Sequence, residues 1–139
     1  MKKVLIDTNI LLDYLAEREP FFDDALNLMI SCANDEVQGF AAASSLTDLY
    51  YLIRKSTGSE EKSRLILEQI FSLVGILDTT AEDCVLALSS PMPDYEDAIL
   101  AEAALRSGLD FILTGNLKDF ASSPVPAMRA DDFMGRHLD

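Results

Sequence analysis

The chain has 139 residues, with 24 acidic against 11 basic side chains and a formal net charge of −13. A length of that order fits one domain, residues 1–139, and 49% hydrophobic residues supply enough apolar surface for a core, which excludes a disordered, collagen-like or low-complexity chain. So acidic a surface repels phosphate backbones, which excludes non-specific DNA binding unless metal ions or a local basic strip offset the field.

Met1 to Ile6 resembles the opening of a signal peptide, but Asp7 and Asp13 interrupt the apolar run, and no apolar stretch approaches bilayer length. No membrane association is therefore expected. Lys3 to Ile6 predicts a buried strand ending at Asp7. Ile10, Leu11, Tyr14 and Leu15 predict a helix that Pro20 breaks, and Phe22, Ala25, Leu26, Met29 and Ile30 predict the buried stripe of a second helix. Gln38 to Ala43 reads as a strand. Ser44 or Ser45 is placed to cap a third helix with Leu49, Leu52 and Ile53 inward, stopping at Thr57–Gly58, and Ser59–Glu60–Glu61 starts a fourth. Leu73 to Leu77 predicts a strand, and Thr80 to Asp83 a capping box for a helix through Leu88 that Pro91 and Pro93 end. Asp94 is the expected N-cap of a helix through Arg106, closed by Ser107–Gly108, and Phe111 to Thr114 is a further strand. A last short strand surrounds Met128, and Asp131 is placed as the cap of a terminal helix containing Phe133 and Met134.

Short apolar strands alternating with helices predict an α/β fold, a three-layer α/β/α sandwich with a mainly parallel central sheet. Ligands of such sheets bind beyond the carboxyl ends of the strands. That rule selects Asp7–Thr8–Asn9 and Thr114–Gly115–Asn116.

Asp7 leaves a buried strand, so its carboxylate is either sheltered for a purpose or caps the next helix through the N–H groups near Asn9 or Ile10. Asp94 and Asp97 stand at i, i+3. Asp94 caps, while Asp97 reciprocates or turns inward on the face of Ala98, Ala101 and Ala104, where the helix dipole favours its ionised form. Asp48 flanks its apolar stripe and taken alone is an exposed helical acid, and Asn116 and Asp119 taken alone are turn and cap residues. Together these oxygen donors suit Mg²⁺ or Mn²⁺ and phosphoryl chemistry. The lone His137 lies near the chain end, and Cys32 and Cys84 lack Cys or His neighbours, which argues against a histidine base, a zinc site or a disulfide framework and for a reducing cytoplasm. Neither G-x-S-x-G nor a P-loop is present.

The runs Val4 to Asp13, Thr47–Asp48–Leu49–Tyr50–Tyr51, Asp94–Tyr95–Glu96–Asp97–Ala98 and Ile112 to Phe120, in this order and spacing, resemble the PIN-domain family, which includes ribonuclease toxins of bacterial toxin–antitoxin pairs. The resemblance covers almost the whole chain. It implies a metal-dependent endoribonuclease in which Asp7, Asp48 and Asp97 are catalytic ligands of Mg²⁺ or Mn²⁺, with Thr8, Asn9 and Thr114 supporting them. Asp48 stands where the family more often has glutamate. At the fourth acidic position this chain has Asn116, whose amide can ligate the metal but contributes no charge, with Asp119 or Asp94 placed to compensate as further ligands. That departure keeps open a catalytically weak or inactive RNA- or protein-binding module. An Asp-nucleophile phosphatase of the haloacid-dehalogenase type is a further alternative, although Asp7–Thr8–Asn9 lacks the second aspartate of that class.

Basic residues are few, and Arg54, Lys55, Lys62, Arg64 and Lys118 lie near the proposed site in sequence. They read either as solubility charges or as a phosphate-contacting strip, with Arg54, Lys55 and Lys118 the RNA-binding candidates. An acidic nuclease also suits a basic antitoxin. The family resemblance further implies a homodimer, for which Tyr50, Tyr51, Leu65 and Phe71 are candidate interface residues if they are not core.

Overall fold

The computed structural model describes residues 1–137. Five strands, β1 (Lys2–Ile6), β2 (Val37–Ala42), β3 (Gly75–Leu77), β4 (Phe111–Leu113) and β5 (Ala127–Met128), form one sheet in the order β3-β2-β1-β4-β5 with every pair parallel. Around it lie α1 (Thr8–Leu15), α2 (Phe22–Ala33), α3 (Leu46–Thr57), α4 (Glu60–Leu73), α5 (Ala81–Ala87), α6 (Tyr95–Arg106) and α7 (Ala130–Arg136). Alternation along β1 separates two apolar layers, because successive side chains of a strand face opposite ways. Val4 and Ile6 pack with Leu11, Leu28, Leu49, Ile70 and Phe133 of α1, α2, α3, α4 and α7. Leu5 packs on the other face with Ala87 of α5 and Ala98, Ala101 and Ala104 of α6. The three-layer parallel sandwich predicted from the sequence is the one observed.

Strand order fixes where a ligand can enter. The chain builds outward from β1 to β2 to β3, then crosses to place β4 on the opposite side of β1. The reversal of direction lies between β1 and β4, where the two crossover helices diverge and leave a crevice beyond the strand ends. Asp7 and Thr114 are the first residues after those strands. The backbone N–H of Asp7 continues the ladder by donating to the Leu113 carbonyl at 3.0 Å, so both residues start from a fixed frame.

Several local expectations are corrected. The third strand starts at Gly75, because Leu73 still belongs to α4 and Val74 is its C-cap. In α2 the buried face is Ala25, Leu28, Met29 and Cys32; Leu26 is only half-buried and Ile30 is 47% exposed, so the stripe is rotated from the predicted one. Leu52 is likewise exposed while Leu49 and Ile53 are buried. Ser45 occupies the N-cap of α3 but its hydroxyl makes no capping bond, and α7 is preceded by Arg129, which leaves Asp131 in its first turn rather than at its cap. The capping box at Thr80 and Asp83, the Asp94 cap and the left-handed glycines Gly58 and Gly108 after α3 and α6 stand as predicted. Asp83 does more than cap: it is buried and accepts from Arg106 Nε at 3.0 Å, while the same guanidinium donates to the Asp78 carbonyl at 2.8 Å. This tie pins α5 to the C-terminal end of α6. Among the described residues no helix is long and apolar enough to cross a membrane.

Candidate functional site

Asp7 sits at the N-cap position of α1 with extended backbone, yet its side chain makes no capping bond. The carboxylate instead accepts from the Thr114 hydroxyl, Oγ1 to Oδ2 at 2.8 Å. Thr114 is fully buried, and its oxygen also accepts the Asn116 backbone N–H at 3.0 Å. One hydroxyl thus joins the ends of β1 and β4 and aims Asp7 away from its own helix. The capping alternative for Asp7 is therefore excluded by geometry. Asn116, the N-cap of the 3₁₀ turn Leu117–Phe120 after β4, turns its amide to Asp119 in that turn, donating from Nδ2 to the carboxylate.

Asp94 caps α6 by accepting the Asp97 backbone N–H at 3.0 Å. Asp97 does not reciprocate; it is half-buried, and its carboxyl is pushed up to about 6, first by burial and then by the neighbouring charges of Asp94, Asp7, Asp119 and Glu96. Burial and four like charges oppose the helix dipole at Asp97 and raise its carboxyl, which at about 6 remains largely ionised at neutral pH.

Asp7, Asp48 and Asp97 line a single cleft of about 640 Å³, together with Thr8, Asn9 and Glu96. Asp48 is exposed, as expected of a lone helical acid, but it faces this cleft. The wall geometry follows helical spacing: Asp48, Tyr51 and Leu52 of α3 stand at i, i+3, i+4, and Glu96, Ile99 and Leu100 of α6 repeat that spacing on the other wall. Glu96 was missed in the sequence, where it is one acid of an Asp–Tyr–Glu–Asp run. Only knowing that α6 faces α3 distinguishes it from a solvated charge. Asp94, Asn116 and Asp119 do not line the cleft but border it, close enough for Asp94 and Asp119 to act on Asp97.

The predicted basic strip is not part of these walls. Arg54 and Lys55 lie at the far end of α3, about 9 Å along the axis from Asp48, and Arg54 approaches Glu60 at 3.9 Å. Lys118 is exposed in the 3₁₀ turn. His137 packs against the Phe111 and Phe133 rings and is absent from the cleft.

The cleft presents carboxylate, hydroxyl and amide oxygens, and among the described residues no histidine, cysteine or basic side chain lines it. Such a donor set fits a hard divalent cation. Among the described residues no three Asp, Glu, His or Cys side chains stand close enough to form a ready-made cage. Mg²⁺ does not require one, because it keeps several waters and takes one or two carboxylates directly.

A family model for the PIN domain matches residues 3–118, and the chain belongs to the PIN-domain family. No curated protein sequence matches it. Among solved structures it is similar to VapBC2 from Rickettsia felis, bound to a DNA fragment from its promoter, at 19% identity over 91% of this chain and 98% of that one, with a TM-score of 0.67. FitAcB from Neisseria gonorrhoeae is 18% identical over 91% and 97% of the two chains, with a TM-score of 0.67. VapC20 from Mycobacterium tuberculosis, a sarcin–ricin loop cleaving toxin, is 14% identical over 91% and 98%, with a TM-score of 0.66. At these identities the likeness is one of fold.

Proposed function

We propose that this chain, one PIN domain over residues 1–139, is a Mg²⁺- or Mn²⁺-dependent endoribonuclease and the toxin of a toxin–antitoxin pair. The observation that carries this reading is that Asp7, Asp48 and Asp97, from three separated segments, line one cleft in which no basic side chain among the described residues balances them. Asp7 and Asp97 would hold the cation, with Asp48 of α3 available to it across the cleft, and Asn116, Asp119 and Asp94 would complete the set from outside the cleft walls. When bound, the cation supplies positive charge to the scissile phosphodiester and acidifies water for hydrolysis. Thr114 orients Asp7, and Thr8 and Asn9 line the cleft beside it. The likeness to VapC20, a toxin that cleaves the sarcin–ricin loop, supports RNA as substrate.

Arg54, Lys55 and Lys118 contact the RNA backbone outside the cleft, as the few cations on its approaches. Charge reversal at Arg54 and Lys55 is expected to weaken RNA binding while metal binding persists; unchanged affinity would remove them from the site. The net charge of −13 favours a basic antitoxin. The protein acts in the cytoplasm as a homodimer. Family membership leaves the phosphatase alternative without support.

A second reading, a PIN-like binding module without catalysis, is favoured by one observation: Asn116 spends its amide on Asp119 and brings no charge. The test is cleavage of a mixed structured and single-stranded RNA pool by purified protein in Mn²⁺, Mg²⁺ or EDTA, beside Asp7→Asn. Metal-dependent cleavage lost in the variant supports the nuclease. Equal inactivity of both folded proteins favours the binding module.

A further inference from the structure

Beyond Asn9 lies a second cavity, of about 370 Å³, at the small end of the range for small-molecule sites. Asn9 lines both cavities, and Thr114, the donor to Asp7, lines this one. An occupant would therefore sit one side chain away from Asp7. The floor is apolar, formed by Ile10, Ala25 and the ring of Phe21, which is left 47% exposed.

The rim decides what chemistry fits. Its two guanidiniums are already engaged: Arg18 pairs with Asp13 at 2.9 Å and donates to the Asn9 carbonyl at 3.1 Å, and Arg129 pairs with Asp131 at 3.1 Å. Glu19 and Asp24 add two further carboxylates. Four carboxylates, of Asp13, Glu19, Asp24 and Asp131, stand against two arginines around this cavity, so it disfavours an anion. A flat, uncharged ring with N–H groups on its edge satisfies every wall: its faces take the Phe21 ring and the planar guanidiniums, and its edge donates to carboxylates. Among the four RNA bases guanine alone presents adjacent N1–H and N2–H groups, which one carboxylate accepts in parallel.

Resting on the ribonuclease reading, we infer that this cavity is a subsite for an unstacked guanine beside the cleaved phosphodiester, with Phe21 as its stacking surface and the half-buried Asp24 as acceptor of its edge. The two clefts then divide the work, one taking the phosphodiester and the other selecting the neighbouring base.

The experiment titrates the full chain, in EDTA, with each of the four nucleoside 5′-monophosphates, following backbone amide resonances by NMR. Guanosine monophosphate is expected to shift Asn9, Ala25 and Gly115 with an affinity about tenfold above the other three, and Phe21→Ala and Asp24→Asn are each expected to lose about that factor. No shift with any nucleotide, equal shifts with all four, or shifts of these amides only with an arginine-rich peptide would overturn the guanine site. Because no metal is present, this result is independent of catalysis. Guanine binding without RNA cleavage in Mn²⁺ would overturn the nuclease reading alone, and cleavage without guanine binding would overturn this subsite alone.

Discussion

Thr114 and Asp7, 107 residues apart, are joined by a 2.8 Å hydrogen bond from the threonine hydroxyl to the aspartate carboxylate. The same oxygen accepts the Asn116 N–H, so a single buried atom sets the orientation of the first carboxylate and the start of the loop after β4. Thr114→Val keeps the volume and removes both bonds. Leaving the Asn116 N–H and the half-buried Asp7 carboxylate short of a partner costs about 2 kcal/mol, measurable as a lower urea midpoint. Mn²⁺ affinity should fall as well, since Asp7 is no longer held; an unchanged affinity would show that Asp7 needs no orienting donor.

Asp97 predicts an exchange of stability for function. Its folded carboxyl is raised to about 6 from an ordinary 3.8. The folded state therefore holds a proton that the unfolded chain has released between those values, and stability falls as pH rises through that window. Asp97→Asn should stabilise the metal-free protein at pH 7 by about 1 kcal/mol after allowance for solvent screening, and the gain should vanish near pH 4. Thermal melts in EDTA at the two pH values check this. A variant less stable than wild type at pH 7 would show that Asp97 is held by favourable contacts.

Glu96 and Asn116 bear on the charge of the cleft. Glu96→Gln should weaken Mn²⁺ binding about threefold, a small effect because its carboxylate is exposed on the wall. Asn116→Asp restores an acid beside Asp119, and should tighten Mn²⁺ binding while lowering the melting temperature in EDTA through like-charge repulsion. Calorimetric titration separates the two effects.

The Asp83–Arg106 tie serves as a structural control. Arg106 beside Asp83 holds its carboxyl below the ordinary carboxylate range, so the contribution is present at neutral pH and is lost as pH falls below about 4. Asp83→Ala also removes the Thr80 capping box and should cost about 2–3 kcal/mol at pH 7 by chemical denaturation. Mn²⁺ affinity per folded molecule should stay the same.

Legibility in the sequence followed the range of the interactions involved. The strands, the parallel sheet and the residues at the ends of β1 and β4 follow from local apolar runs and their punctuation, which is why Asp7 and Thr114 stand out before any coordinates. Contacts between distant segments were less visible. Whether Asp7 capped or turned away depended on a hydroxyl 107 positions on, and Asp83 reads as a cap until Arg106 is brought to it. The α2 stripe was misjudged because Leu26 and Ile30 are apolar yet lie at the margin of the buried face, where composition alone does not separate edge from core. Glu96 belongs to the cleft only because α6 faces α3.

The central claim is that acids from three segments act as one cation site. Isothermal titration of Mn²⁺ into wild type, Asp7→Asn, Asp48→Asn and Asp97→Asn at pH 7 tests it most directly. The structure predicts binding by the wild type and a loss of about tenfold or more in the Asp7 and Asp97 variants, with a smaller loss at the exposed Asp48. Binding that survives unchanged in the Asp7 and Asp97 variants, or no binding by the folded wild type, would contradict it.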